Sequence, residues 1–306
     1  MVPMDEESRS YRFLRVGLGV LWIIDGILQM QPGMFTRGFV TNVLSPVMSG
    51  QPSWIVTLMQ GGIHLWMQLF SVSNMMSTLI QLLIGVLLLC TKGLGRTIGL
   101  YLSLLWAIVV WAFSEGFGSI FAGSPTILTG APGSALFYAI ASVLLLLPTY
   151  VWSTEMISRF VRYMGSVYLL LATLWQALPS SGYFQGSNLS GIFTQASQLT
   201  PQPGFLIAVL SAMADVAAAH AIIFNIVLSS LLAIVAVLWF ARNRSLVTLV
   251  IALALCFAIW FFGQDFGIFG GFATDVNSAP IFGLLLITGW LNGQENLAWR
   301  GYGHYA

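Results

Sequence analysis

Five carboxylates lie near the ends of long apolar segments of this chain, where an ionisable side chain is costly. They are Asp25, Glu115, Asp215, Asp265 and Asp275. An ionisable group beside the hydrocarbon of a bilayer is a candidate for function, because it must be paired, hydrated or used in proton transfer. Two of the three histidines, His64 and His220, fall in the same regions. The sequence therefore predicts that titratable groups gather at one end of a helical bundle.

Glu115, Asp265 and Asp25 are the predicted catalytic residues. The first two each follow an apolar segment and precede a stretch rich in Gly and Phe, with Trp111 and Trp260 just upstream. A carboxyl beside a flat aromatic slot suits a quinone head group. It could exchange a proton as the quinone changes redox state, with a pKa raised by desolvation. The alternative is that these acids only cap or solvate helix ends.

His64, Asp215 and His220 form a second candidate set, for cofactor binding together with the two tryptophans. His64 and Asp215 occupy matching positions in two segments described below, and a His–Asp pair there could hold a metal or relay a proton. Because neither His-x-x-His nor Glu-x-x-His spacing occurs, we predict no metal site in one segment. Haem, with these histidines as axial ligands, and copper are less favoured than quinone. The copper hypothesis rests on the methionines Met59, Met67, Met75 and Met76.

The composition requires a membrane environment. Hydrophobic residues make up 58% of the 306 residues and charged residues only 7%, against about 25% charged in soluble domains. A net charge of +1 excludes a broad basic surface for nucleic acid. Eight apolar segments approach the length of a membrane span. They are 13–30, 76–91, 97–114, 134–151, 163–179, 222–240, 246–262 and 281–293.

The positive charges decide the predicted topology. Ten of the eleven Lys and Arg residues fall in five clusters, and Arg37 is the exception. Basic residues concentrate on the cytoplasmic side. All five clusters share that side if 54–70 and 204–219 do not span but lie as interfacial or re-entrant helices outside. The sequence then predicts eight spans with both termini cytoplasmic in a cell membrane. The clusters are Arg9/Arg12/Arg15, Lys92/Arg96, Arg159/Arg162, Arg242/Arg244 and Arg300.

A tandem duplication is indicated by matches at a nearly constant offset of about 150 residues. The pairs are Trp111 to Gly118 with Trp260 to Gly267, Pro132 with Pro280, Gln51-Pro52 with Gln202-Pro203, Asn74 with Asn225, and Leu21-Trp22 with Leu174-Trp175. Each unit would contain four spans, so residues 1–152 and 153–306 form parallel repeats. Gly17, Gly19, Gly85 and Gly99 would allow close helix approach. The position equivalent to Asp25 is apolar, which favours one functional site.

The opening helix carries a resemblance to a known family. Residues 14–22 read LRVGLGVLW, and Asp25-Gly26 follows. This pattern, with the basic turn at Thr91-Lys92, resembles DoxX-like integral membrane proteins, which include a subunit of thiosulfate:quinone oxidoreductase. The resemblance implies an all-α fold of two fused four-helix units. The second unit departs from it, because residues 172–179 lack the Asp-Gly step.

We therefore predict an integral membrane subunit of a quinone-linked or other redox system, with its polar site on the extracytoplasmic face. Its partners would be the lipid bilayer and other redox subunits. A transporter for a small solute or metal ion is one alternative, and an assembly factor of a larger complex is another. The chain has no phosphate loop, dinucleotide-binding glycine fingerprint or nucleophile elbow.

Overall fold

A computed structural model describes the backbone of residues 7–302 and the side chains of residues 7–297. The chain is all-α, with 79% helix and no strand in that part. The two termini and the side chain of Arg300, which the sequence predicts to lie on the cytoplasmic side, are outside the described part of the chain. Ten main helices follow in order. They are α1 (Arg9–Leu28), α2 (Ser53–Gln68), α3 (Phe70–Cys90), α4 (Leu94–Phe113), α5 (Ser134–Leu146), α6 (Met156–Ala177), α7 (Gly186–Ser197), α8 (Gly204–Arg242), α9 (Leu246–Ala258) and α10 (Ser278–Tyr302).

Within the described residues, four helices are long and apolar enough to cross a membrane: α3, α4, α8, and α9 with its continuation to Gly263. Helix α5 is apolar but has only 13 residues. Helices α1, α6 and α10 have 20, 22 and 25 residues but carry more polar side chains. Their polar content explains why composition alone singles out four helices, and these four indicate a membrane protein.

The two interrupted segments of the sequence fold differently from one another. In the first, α2 ends at Gln68, and Leu69 (φ −141°, ψ 54°) separates it from α3. In the second, residues 204–242 form one 39-residue helix whose single break is at His220 (φ −132°, ψ 36°). Segment 204–219, predicted to be separate, thus runs directly into the following span. Neither a Pro nor a Gly lies between Phe205 and Arg242 to end the helix.

One hydrophobic core joins the two halves of the chain, which we define as residues 7–152 and 153–302. Helix α1 packs on α3 and α10, α6 packs on α8 and α10, and α5 contacts both α1 and α10. The four predicted close-approach glycines lie at helix contacts. A Cβ on Gly17 would approach Leu284 Cδ1 to 2.4 Å, and one on Gly85 would lie 2.9 Å from the carbonyl of Gly19. Glycine at these crossings lets the backbones approach closely.

Candidate functional site

A cavity of about 290 Å³ lies between α1, α2, α3, α4 and α5 in the first half, and we call it the aromatic cavity. Trp22, Phe39, Trp66 and Phe113 contribute aromatic surface to its wall. Leu65 and Phe113, which line it, are also exposed on the outside of the helices. The cavity therefore borders an apolar outer surface, as a site for a lipophilic ligand would.

Four polar groups in the wall of this cavity lack hydrogen-bond partners among the described residues. They are Asp25 Oδ1, Gln81 Oε1, Trp106 Nε1 and Tyr138 Oη. Asp25 and Tyr138 are each only 2% exposed. A buried polar atom without a partner costs about 1–3 kcal/mol. The Tyr138 hydroxyl and the backbone of Val276 lie within hydrogen-bonding reach of the Asp25 carboxyl, but neither contact has the geometry of a full hydrogen bond.

Neighbouring hydrogen bonds hold this wall in place. One turn beyond Asp25, Gln29 Nε2 donates to Asn74 Oδ1 (2.6 Å), and Asn74 Nδ2 donates back to the Gln29 carbonyl (3.0 Å). Deeper in the bundle, Trp22 Nε1 donates to Ser103 Oγ, which lies 2.7 Å from Ser142 Oγ. These pairs fix α1 against α3 and α4. Hydrogen-bonded side chains therefore hold in position the helices that carry the unpartnered groups.

A larger cavity of about 700 Å³, which we call the vestibule, lies beside the aromatic cavity. Glu115 and Asp265, two of the predicted catalytic residues, line the vestibule, whereas the third, Asp25, lines the aromatic cavity. The two cavities share a wall of four polar residues: Ser114, Ser134, Thr274 and Asp275. Asp275 accepts from Thr274 Oγ1 (2.9 Å) and from the backbone N–H of Asn277 (2.7 Å). Its charge acts on both Asp25 and Glu115.

Glu115 caps the start of α5. Its Oε1 accepts from Ser134 Oγ (2.7 Å) and from the backbone N–H of Ala135 (3.2 Å), while its Oε2 has no partner in the described structure. Gly133 (φ +96°) lies against this carboxyl, and a Cβ there would approach Oε2 to 2.1 Å. Burial, and then the charge of Asp275, raises the pKa of Glu115 to about 8. The residue is therefore both a cap and a group that could hold a proton near neutral pH.

Asp265 does not reproduce the geometry of Glu115. Gln264 does, because its Oε1 accepts from the backbone N–H of Ala279 (3.1 Å) at the start of α10. Asp265 (φ +48°) takes the place of Gly116 (φ +51°) in the corresponding turn and accepts from Gln202 Nε2 (2.6 Å). Burial raises the pKa of Asp265 to about 6. The formal sequence match of Glu115 with Gln264 is thus the structural one.

Trp111 and Trp260 hold the turns that carry these acids. Trp111 Nε1 donates to the carbonyl of Pro132 (2.8 Å) and its ring meets Phe117 edge to face at 5.0 Å. Trp260 Nε1 donates to the carbonyl of Val276 (2.8 Å) and its ring meets Phe266 at 4.7 Å. Neither ring lines the aromatic cavity. Both tryptophan side chains therefore stabilise the turns.

His64, Asp215 and His220 have exposed side chains, and no ion pair within residues 7–297 joins them. His64 has one polar neighbour, Gln68 Nε2 at 3.3 Å. The described part of the chain contains no group of three or more His, Cys, Asp or Glu residues placed to hold a metal ion. The methionines considered for copper also differ in environment: Met59 is fully buried, whereas Met75 and Met76 are about half exposed.

Comparison of the chain with protein-family models, curated proteins and solved structures gives no match. The second half nevertheless provides an internal reference. The reciprocal pair of Gln29 and Asn74 recurs as Gln176 Nε2 to Asn225 Oδ1 (2.7 Å) and Asn225 Nδ2 to the Gln176 carbonyl (2.9 Å). This recurrence aligns α1 with α6 and α3 with the second part of α8.

Three polar residues of the aromatic cavity have apolar equivalents in the second half. That alignment matches Asp25 with Ala172 and Gln81 with Leu232. The helix caps align α5 with α10, because Glu115 accepts from Ala135 as Gln264 accepts from Ala279, and this places Tyr138 opposite Phe282. All six side chains are buried. The polar members are therefore not needed to build this helix arrangement.

Gln81, Trp106 and Tyr138 were not among the site residues predicted from sequence. A lone Tyr or Trp in an apolar helix resembles ordinary core packing. The signal that could have found Gln81 and Tyr138 is their replacement by Leu232 and Phe282 in the repeat. For Trp106, we find no such signal.

Proposed function

We propose that the chain is a multi-pass protein of a cell membrane, with two DoxX-like four-span units and both termini cytoplasmic. Two sets of contacts support the duplication. The Gln29–Asn74 pair recurs as Gln176–Asn225, and the Trp111–Pro132 contact recurs as Trp260–Val276. In this arrangement α1, α5, α6 and α10 complete the eight spans. Buried polar side chains on these helices, such as Asp25, Ser142 and Gln176, lie in the shared core or line a cavity and so avoid lipid.

We further propose that the aromatic cavity binds the head group of a lipophilic quinone and that the protein acts in a membrane redox system. The unpartnered groups carry this proposal. Trp106 and Tyr138 can donate to the carbonyl oxygens of a quinone, while Gln81 and Asp25 can accept from the hydroxyls of the reduced quinol. A cavity of about 290 Å³ with flat aromatic walls is near the lower end of the usual range for small-molecule sites.

Carboxyl groups of the two cavities can take up and release the protons of quinone reduction and quinol oxidation. Oxidation of a quinol releases two protons and two electrons, and reduction of a quinone takes up the same number. Asp25 would exchange protons with the ligand, and Asp275 and Glu115 would pass them to the vestibule through the shared wall. The electrons would go to or come from a separate redox protein at that face.

The binding test uses two substitutions that the second half already contains. Tyr138→Phe and Gln81→Leu install the residues found at Phe282 and Leu232, so both variants are expected to fold. Each should weaken binding of a short-chain ubiquinone analogue to the purified protein about fivefold to tenfold, because each removes one hydrogen bond. Titration of the analogue against thermal unfolding in detergent measures the affinity.

Tyr168→Phe is the matched control. The Tyr168 hydroxyl is also buried, but it donates to the carbonyl of Ala131 (3.0 Å) and lies outside the aromatic cavity. This variant should lose stability and keep its quinone affinity. Absence of binding to the wild type, or equal affinity in all three variants, would contradict the quinone proposal. Solute uptake into vesicles by the pure protein would then favour a transporter, and co-purification with other chains an assembly factor.

A further inference from the structure

A third large cavity lies at the opposite end of α1 from Asp25, and we call it the basic cavity. It has a volume of about 890 Å³. Five basic side chains line it: Arg9, Arg12, Arg15, Lys92 and Arg96. The edge-to-face pair of Tyr11 and Trp152, with ring centroids 5.1 Å apart, contributes an aromatic wall.

Among the described residues, the positive charge around this cavity exceeds the negative charge. Glu7 is the single acid among the described residues of the lining, and it is paired with both Arg15 and Arg96. Arg9, Arg12 and Lys92 make no ion pair in the described part of the chain. Three cations therefore surround a space that is large enough for a polar ligand.

Two residues that line this cavity also carry buried donors without partners. Arg15 is only 8% exposed, and although its Nη atoms contact the Leu88 carbonyl and Glu7, its Nε has no partner within residues 7–297. Arg96 Nε is likewise buried and unpartnered. A preference for basic residues on the cytoplasmic side explains exposed cations, but not a buried guanidinium with an unused donor.

The same end of the second half is packed differently in the described residues. Glu155 bridges Arg159 (3.5 Å) and Arg244 (2.7 Å), as Glu7 bridges two arginines. Arg162 lies over the rings of Tyr163 and Phe240, at 4.9 Å and 5.7 Å from their centroids. Trp290 and Gln294 fill the adjoining space by donating to the carbonyl of Arg244. One bridging acid with close packing thus serves this end of the second half, whereas the first half adds three cations that make no ion pair among the described residues.

We infer that the basic cavity binds a phosphate-bearing anion. Arg guanidinium groups present paired donors that match phosphate oxygens, and Lys92 adds a point charge. The phosphate could belong to the head group of an anionic lipid, since the cavity lies at a helix end beside apolar surface. It could equally belong to a soluble phosphate compound. This site is independent of the quinone proposal, because it shares no residue with the aromatic cavity.

The test measures the thermal stability of the detergent-solubilised full-length protein during titration with dioleoylphosphatidylglycerol, dioleoylphosphatidylcholine or inorganic phosphate. Binding to the folded state raises the Tm with the logarithm of one plus the ratio of ligand concentration to Kd, so the titration gives an apparent Kd. Arg12→Gln and Lys92→Gln should each raise this apparent Kd about tenfold, because a hydrogen bond to a charged group is lost. Both side chains are exposed, so neither substitution threatens the fold.

Arg242→Gln is the matched control, since Arg242 is an exposed cation at the end of α8 and does not line the cavity. Stabilisation by phosphatidylglycerol alone supports a lipid ligand, and stabilisation by inorganic phosphate supports a soluble one. In both cases Arg242→Gln should behave like the wild type. The inference is overturned if neither anion acts more strongly than phosphatidylcholine, or if Arg242→Gln loses as much as Arg12→Gln.

Discussion

The first and second halves of the chain place the same amides and indoles at corresponding contacts, yet they differ in what lies between them. Gln29 and Asn74 form the same reciprocal pair as Gln176 and Asn225. Between these fixed points, the first half leaves four cavity-lining polar groups without partners. The second half has buried Ala172, Leu232 and Phe282 at three of those positions.

This difference separates side chains that maintain the fold from side chains available to a ligand. A polar group kept in both halves with its partner contributes to helix packing. A polar group present in one half, buried and unpaired, lowers stability unless a ligand satisfies it. Glu115 and its equivalent Gln264 lie between the two cases. Both side chains cap a helix, but only the Glu115 carboxyl can also titrate.

The largest effect is expected from Gly133→Ala, which tests whether the Glu115 carboxyl is held as tightly as the geometry indicates. The new Cβ would meet Glu115 Oε2 at 2.1 Å and would also strain a backbone at φ +96°. We expect a loss of about 3 kcal/mol or more in the free energy of unfolding. Gly123→Ala isolates the strain, because Gly123 has φ +86° and open space around it. Equal losses in the two variants would show that the contact with Glu115 is not tight.

A smaller and symmetric effect is expected from Asn74→Ala and Asn225→Ala. Each substitution leaves a buried Gln side chain and a backbone carbonyl without a partner, at a cost of about 2–4 kcal/mol in total. Thermal unfolding in detergent should give similar losses for both variants. If Asn225→Ala costs far less than Asn74→Ala, the two halves do not share this packing unit, and the proposed duplication loses its main structural support.

The sequence predicted the helical fold better than it predicted the register of the repeat. Apolar length was enough to place α3, α4, α8 and α9. The hydrogen bonds favour another register than the match of Leu21-Trp22 with Leu174-Trp175, because the Gln29–Gln176 alignment has an offset of 147 and places Trp22 opposite Leu169. Both tryptophans lie in apolar helices, so hydrophobicity alone could not choose between offsets. Polar pairs with a defined hydrogen-bond geometry can distinguish the offsets, and these pairs were visible only in the structure.

The candidate site was predicted in part for a similar reason. Asp25 and Glu115 stood out because a carboxylate is conspicuous in an apolar chain. Tyr138 did not, since its hydroxyl becomes informative only when the structure shows it buried and unpaired. The predicted meeting of His64 and Asp215 depended on how the outer helices face each other, which local sequence does not specify. The structure leaves both side chains exposed.

The smallest effect is expected from pH, and it sharpens the contrast between Glu115 and Gln264. Burial raises the pKa of Glu115 from 4.5 to about 8, so the folded state holds this proton more tightly than the unfolded state. The stability of the wild type should therefore fall as pH rises from about 4.5 to about 8. Glu115→Gln installs the residue of the second half and should flatten this part of the profile.

Substitutions of Asp265 and Asp275 are the controls for that experiment, because both residues line the vestibule together with Glu115. Burial raises the pKa of Asp265 only to about 6, so Asp265→Asn should flatten the profile below about pH 6 and leave the slope between 6 and 8. Asp275→Asn removes the neighbouring negative charge and should move the Glu115 transition to lower pH. Thermal unfolding across this range gives all the profiles. If the wild type and Glu115→Gln have the same slope between pH 6 and 8, Glu115 is a cap like Gln264 and holds no proton for the vestibule.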